Sequence, residues 1–394
     1  MDERFINSST WMRDTLHLIG HKSLTDLVLP GTHDSAAYKF SDKYMPGAQS
    51  KKVQRIINIT DFLIKNIIKS VEITQELTVY KQLKRGARYL DIRAGWLDHK
   101  WYTYHCHAGP TVEKVLKDVK RFLKKYECEV VIIEISHFRN KTTESEGVLK
   151  ALILNYLGDM LCDVNPTLKF PLFDIISRNK RAIVCMPKLH DSKMCIWSDS
   201  ILKNSYPNKS KVKKIKEYNE NRIKDNPPNK LLKISWILTP DASNLKEKLL
   251  KLAKGVNSEM LKSFYNLSAK IKLKRKLENV GVVDEQEKNV FEEKEIKVEE
   301  EEEKKEELEE DEKNEGLAGL SDESEQEDEE EGGGEEESKI DENKGEILGH
   351  ASLKGVNLAG KEKTGLEGII ILIDHFGKSN IMHVIYDLNN LIHS

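Results

Sequence analysis

Leu27-Val28-Leu29-Pro30-Gly31-Thr32-His33-Asp34-Ser35 joins a short apolar run to a Pro-Gly turn, then to a histidine, a carboxylate and two hydroxyls. Two further stretches repeat the pattern. They are Arg88-Tyr89-Leu90-Asp91-Ile92-Arg93 and Trp101-Tyr102-Thr103-Tyr104-His105-Cys106-His107. In each, a strand-like run stops at His, Asp or Arg. Parallel strands of one sheet or barrel bring such ends to one rim, so two histidines, an arginine and two carboxylates would share a site. Two histidines can act as general base and general acid, and an arginine can hold a phosphate. This set predicts cleavage of a phosphodiester without a metal.

Working outward, residues 130–135, 182–186, 234–238 and 368–374 are apolar and rich in β-branched side chains, as strands buried on both faces should be. Apolar residues at helical spacing mark 56–68, 112–123, 245–261 and 381–391. Alternating strands and helices predict an α/β fold with a parallel sheet, and the number of runs fits a (β/α) barrel better than an open sheet. Catalytic groups of barrels sit where strands end. His33, Arg93, His105, His137 and Asp374 occupy such ends, and Lys188 closes the run 182–186.

The charge is unevenly distributed. Between Asp284 and Lys344 there are 31 acidic and 8 basic residues, a net of −23, whereas the whole chain is −3; everything else therefore carries +20. A basic body suits an anionic partner such as a membrane surface. The Glu-rich stretch contains Gly332-Gly333-Gly334 and too little apolar surface to fold, which predicts disorder. The five cysteines are scattered without a CxxC pair, arguing against a zinc site or disulfide framework and for a reducing compartment. The N-terminus lacks an apolar core of signal-peptide length, and no stretch is apolar for long enough to span a membrane.

The ordered motifs resemble the X domain of phosphatidylinositol-specific phospholipase C (PI-PLC), and the stand-alone X-domain proteins most of all. The resemblance rests on residues 29–35, Asp91-Ile92-Arg93 and Tyr104-His105, with Trp11-Met12, residues 131–138, residues 234–240 and Ile373-Asp374 in the family's order. It implies a distorted TIM barrel in residues 11–280 and 350–394, interrupted by the acidic insertion 281–349. It also implies a phosphoric diester hydrolase that cleaves phosphatidylinositol lipids to diacylglycerol and a cyclic inositol phosphate. His33 would be the base, His105 the acid, Arg93 the phosphoryl contact, Asp374 the partner of His33, and Asp34 the support of Arg93 and the reacting hydroxyl. His107, before Ala-Gly-Pro, is the alternative acid, because Cys106 stands where the family has glycine after its second histidine. Asp91, His107, His137 and Lys188 are the expected substrate contacts.

Calcium-dependent members carry Asn after the first histidine, then Glu-x-Asp, then a further Glu. Here those places read Asp34, Asp91-Ile92-Arg93 and, by strand spacing, Ile135, with Glu134 expected on the other face. The resemblance therefore implies a calcium-independent enzyme with no cofactor or metal. Its lipid substrate would be met by peripheral contact with anionic membranes from the cytoplasm, with no nucleic acid involved and a basic protein as the partner class of the acidic insertion. The alternative is an inactive X-domain scaffold.

Overall fold

A computed structural model of the chain describes residues 7–48, 72–163, 170–187, 191, 193, 196–198, 201–226, 230–237, 260–264, 367–374, 376, 379 and 381–393. They belong to one unit formed by Met1–Lys272 and Gly355–Ser394. The acidic insertion 281–349, the helix expected over 56–68, most of that expected over 245–261, and Lys188 lie outside the described residues.

In chain order the main elements are α1 (Trp11–Asp14), α2 (Leu16–Ile19), β1 (Val28–Thr32), α3 (Val79–Lys84), β2 (Tyr89–Leu97), β3 (Lys100–Tyr104), β4 (Ala108–Thr111), α4 (Val112–Lys125), β5 (Val131–Arg139), α5 (Thr143–Leu157), α6 (Leu172–Ser177), β6 (Ala182–Met186), β7 (Ile196–Ser198), β8 (Leu202–Ser205), α7 (Val212–Lys224), β9 (Leu231–Trp236), β10 (Ile369–Ile373) and α8 (Ile381–His393). Eight strands pair in parallel in the order β7-β6-β5-β2-β1-β10-β9-β8. The first strand lies beside the last, with Val28 opposite Ile369 and Thr32 opposite Ile373. Among the described residues no pairing joins β7 to β8, so the fold is a distorted (β/α) barrel left open there. Among those residues, too, no helix is long and apolar enough to cross a membrane.

One expectation needs correcting. β3 runs antiparallel to β2, with Ala94 opposite Thr103 and Leu97 opposite Lys100, and β4 runs antiparallel to β3. The third motif is therefore a hairpin strand, not a parallel barrel strand. The turn is Asp98-His99, both with positive φ (48° and 55°), the geometry that makes two-residue hairpins match strand twist. Usually such turns carry glycine, so Asp-His gave little signal.

Side-chain alternation sorts the barrel. Leu90, Ile92, Val131, Ile133 and Ile135 pack outward against Val115, Val119 and Phe122 of α4 and Leu149 and Ile153 of α5. Burying each such side chain contributes about 1.5–3 kcal/mol. Helix α4 starts where Thr111 Oγ1 accepts from Lys114 N (3.2 Å), an N-cap that satisfies a free donor. Tyr89 alternates to the interior. A Cβ on Gly31 would stand 3.0 Å from both Ile370 Cγ2 and Tyr89 Cδ1, so glycine is what lets β1 approach its neighbours. Below the strands, Arg88 and Glu129 form a fully buried ion pair. Leu83 O and Ala87 O accept from Arg88 Nη1 at 2.9 and 2.7 Å, and Arg13 N donates to Glu129 at 3.1 Å.

Candidate active site

At the end of β1 the ladder with β10 holds for one more rung, His33 N donating to Ile373 O (3.1 Å). The imidazole thus leaves the sheet next to the residue that follows Ile373. His33 Nδ1 meets Asp374 Oδ1 at 2.8 Å. The chain then turns through Asp34 at φ 41°, a left-handed conformation that aspartate tolerates better than most side chains. The flanking hydroxyls build this turn. Thr32 Oγ1 donates to Ser35 Oγ (2.7 Å), Ser35 Oγ donates to Thr32 O (2.7 Å), and Ser35 Oγ accepts from Asp91 N (2.8 Å).

Asp34 is the centre of the cluster. Its Oδ2 lies 3.4 Å from His33 Nε2 and 3.7 Å from His105 Nε2, and its Oδ1 lies 2.6 Å from Arg93 Nε. Neither carboxylate oxygen has a hydrogen-bond donor in line, although the residue is only 3% exposed. A buried acceptor left in that state calls for an explanation, and a reacting group is one. Arg93 comes from β2, His105 from the β3–β4 turn, and Asp91 from β2, its Oδ2 accepting from Asp34 N at 3.4 Å.

The electrostatics separate the two histidines. Burial opposes a charge on His33, but Asp34 and Asp374 outweigh it and raise the imidazole from 6.5 to about 9. His105 moves the other way: burial lowers it and Asp34 only partly compensates. Despite its burial, Asp34 is held below the usual carboxylate range by His33 and Arg93. His137, an exposed residue near the end of β5, is lowered by partial desolvation and by Arg93, and its Nδ1 pairs with Ser136 Oγ at 2.8 Å.

His105 and His107 fall in different surroundings. His105 turns to Asp34. His107 is 4% exposed, its Nδ1 held by Glu72 Oε1 at 2.8 Å and its ring edge-on to Tyr44. Cys106 does not adopt positive φ, so replacing the family's glycine costs no backbone strain. Tyr104 of β3 donates its hydroxyl to His137 O. Tyr206, 39% exposed, has its ring 6.3 Å from that of His33.

The expected faces of Glu134 and Ile135 are reversed. Ile135 packs outward among the α4 and α5 side chains, whereas Glu134 pairs across the sheet with Asp91 and faces the interior. There it accepts from Lys233 Nζ (2.6 Å) and from the Tyr89 hydroxyl. Among the described residues, two groups of side chains bring potential ligand atoms within 4.8 Å of one another, namely His33, Asp34 and Asp91, and Glu72, His105 and Cys106. In the first, the Arg93 guanidinium already opposes a cation at Asp34. In the second, Glu72 Oε2 accepts from Cys106 N (3.1 Å) and His107 N (2.9 Å), which commits it. Glu72, Thr74, Gln75, Tyr206 and Lys233 were not singled out from sequence, since polar residues outside a motif read as surface.

No family model matches the chain. It is 32% identical over 155 residues to a PI-PLC X-box domain-containing protein of Dictyostelium discoideum, covering 39% of this chain and 20% of that one. It is 25% identical over 240 residues to PI-PLC X domain-containing protein 2 of Mus musculus, covering 59% and 70%. The chain spans about half the length of other vertebrate X-domain relatives. Among solved structures, phosphatidylinositol-specific phospholipase C from Listeria monocytogenes superposes with a TM-score of 0.51 at 20% identity, over 67% of this chain and 90% of that one, a likeness of fold. Motif order, barrel and relatives agree, and all support the PI-PLC X-domain family.

Proposed function

We propose that this protein is a calcium-independent phospholipase C acting on phosphatidylinositol-type lipids. The observation that supports this most is the buried Asp34 carboxylate set between the Nε2 atoms of two histidines, with an arginine on its other oxygen. His33 Nε2 takes the proton of the inositol 2-hydroxyl. That oxygen attacks phosphorus, the bond from phosphorus to the glycerol oxygen breaks, and His105 Nε2 protonates the departing oxygen. The products are diacylglycerol and a cyclic inositol phosphate. Arg93 holds the phosphoryl oxygens, and Asp374 fixes the ring and tautomer of His33 through Nδ1.

The opposed pKa directions mean that the resting pair shares one proton, which resides on His33. The reactive arrangement has that proton on His105, so it is a minor tautomer of the same charge state. Its fraction stays constant wherever the pair holds one proton. The rate should therefore be flat between the low value of His105 and about 9, falling below as both rings protonate and above as both lose their protons. Arg93 takes the place of a metal in neutralising phosphate charge. The basic body, +20 outside the acidic stretch, would hold the protein at the cytoplasmic face of anionic membranes, and the stretch itself would take a basic protein.

The test compares wild type with His33→Ala on phosphatidylinositol vesicles in EGTA, following water-soluble inositol phosphate. Loss of a general base should cost ~10²–10⁴-fold. Turnover that needs added calcium would overturn the metal-independent mechanism. No turnover on phosphatidylinositol or its phosphorylated forms, with or without calcium, would favour a lipid-binding scaffold.

A further inference from the structure

Both candidate proton-transfer histidines hang from one short segment that takes no part in the chemistry. Gln75 is fully buried and spends its whole side-chain amide there. Its Nε2 donates to His33 O (3.0 Å) and to Ile373 O (3.1 Å), the carbonyl just before Asp374, and its Oε1 accepts from Phe376 N (3.1 Å). Thr74 Oγ1 lies 3.4 Å from His33 O and 3.3 Å from Asp34 O, where the backbone takes its left-handed turn. Glu72, 2% exposed, accepts from Cys106 N (3.1 Å), His107 N (2.9 Å) and His107 Nδ1 (2.8 Å), so it grips the two residues after His105. The backbone NH groups of Thr74 and Gln75 both donate to Ala37 O, tying the segment to the first motif.

We propose that Glu72 and Gln75 are positioning residues of the proton-transfer machinery: Gln75 sets His33 against Asp374, and Glu72 sets His105 against Asp34. This rests on the phospholipase reading above. None of their polar atoms bonds the side chain of His33, Asp34, His105 or Asp374, and the one side-chain bond they make is from Glu72 Oε1 to His107 Nδ1. Each otherwise bonds backbone at or beside a residue that carries a site side chain. His33, His105 and Asp374 come from distant parts of the chain, and displacements of about 1 Å in such a constellation can cost ~10²-fold.

The experiment uses the full chain and two water-soluble inositol phosphodiesters, one with an alkyl and one with a 4-nitrophenyl leaving group. Nitrophenolate leaves without protonation, so only the alkyl substrate needs the acid. Glu72→Ala should lower kcat ~10–100-fold on the alkyl substrate, with little change in KM, and far less on the nitrophenyl one. Glu72→Gln should recover most of that loss, because an amide can accept from the two backbone NH groups and donate to His107 Nδ1. Gln75→Ala should slow both substrates and move the alkaline limb of the rate profile below about 9, since His33 and Asp374 lose their common tether. Circular dichroism checks folding. Should Glu72→Ala not fold, Glu72→Asp carries the same leaving-group signature in milder form. Equal losses on both substrates for the Glu72 variants, with an unmoved limb for Gln75→Ala, overturn the proposal while leaving the phospholipase reading intact. A wild type inactive on both substrates overturns the two together.

Discussion

Replacing Asp374 by Asn separates the charge of that carboxylate from its geometry. Asp374 Oδ1 lies 2.8 Å from His33 Nδ1, and the amide oxygen of Asn can accept the same hydrogen bond. The ring therefore keeps its orientation while losing one of the three carboxylates, Asp34, Asp374 and Asp91, that raise it to about 9. A hydrogen bond to a charged group contributes about 1.5–3 kcal/mol and a neutral one about 1, so the imidazolium loses about 0.5–2 kcal/mol. At about 1.4 kcal/mol per pH unit, the alkaline limb should fall by about one unit, to near 8. The plateau rate responds differently. His33 is an imidazolium both in the resting pair and in the transition state, so the lost charge destabilises both alike and largely cancels. What remains is the amide's ability to turn its NH₂ toward Nδ1 and select the wrong tautomer, a cost of ~10-fold or more. Initial rates of inositol phosphate release between pH 5.5 and 10 measure both quantities. A limb that stays at about 9 in Asp374→Asn would refute the assignment of Asp374 as a charge partner of His33.

Arg93→Lys should lower kcat/KM ~10²-fold or more with little effect on folding, because an ammonium cannot meet Asp34 and a phosphoryl oxygen with one planar fork; kinetics in EGTA would measure it, and full activity would remove Arg93 from phosphate contact. Arg88→Met should destabilise the barrel by about 3–5 kcal/mol, since it leaves Glu129 buried without its cation. In thermal unfolding that is a fall of about 10 °C, much of which the double variant Arg88→Met with Glu129→Leu should restore. Tyr206→Ala should raise KM several-fold at nearly constant kcat, because the exposed ring flanks His33 with its centroid 6.3 Å away; a fall in kcat alone would assign it a different role.

Much of the site was legible because its residues follow apolar runs whose strand character is unambiguous. His33, Arg93 and Asp374 end such runs, and the barrel brings all three to one rim. What escaped was geometry that depends on partners. The hairpin of β2 and β3 turns at Asp98-His99 rather than at a glycine, so β3 looked like another parallel strand. Glu134 and Ile135 exchanged faces because a count along an all-buried strand has no polar alternation to fix its phase; only the bonds to Lys233 and Tyr89 reveal the interior side. Glu72 and Gln75 gave no signal at all. A buried Gln that bonds only backbone is indistinguishable in sequence from a surface one.

The pairing of the first barrel strand with the last has a consequence for synthesis. One edge of β1 finds β2 as soon as the next part of the chain is made. Its other edge waits for β10, and Val28 waits further for Asn389, whose side chain accepts from Val28 N (2.9 Å) and donates to Val28 O (3.0 Å). His33 and Asp374 are 341 positions apart, about 20–70 s of translation at ~5–20 residues per second. For that interval the nascent chain carries an unpaired strand edge, a template for wrong partners. It also carries a histidine without its carboxylate. Ribosome-bound chains stalled before Ile369 should therefore engage chaperones and lack turnover, and both properties should change together once β10 and α8 emerge.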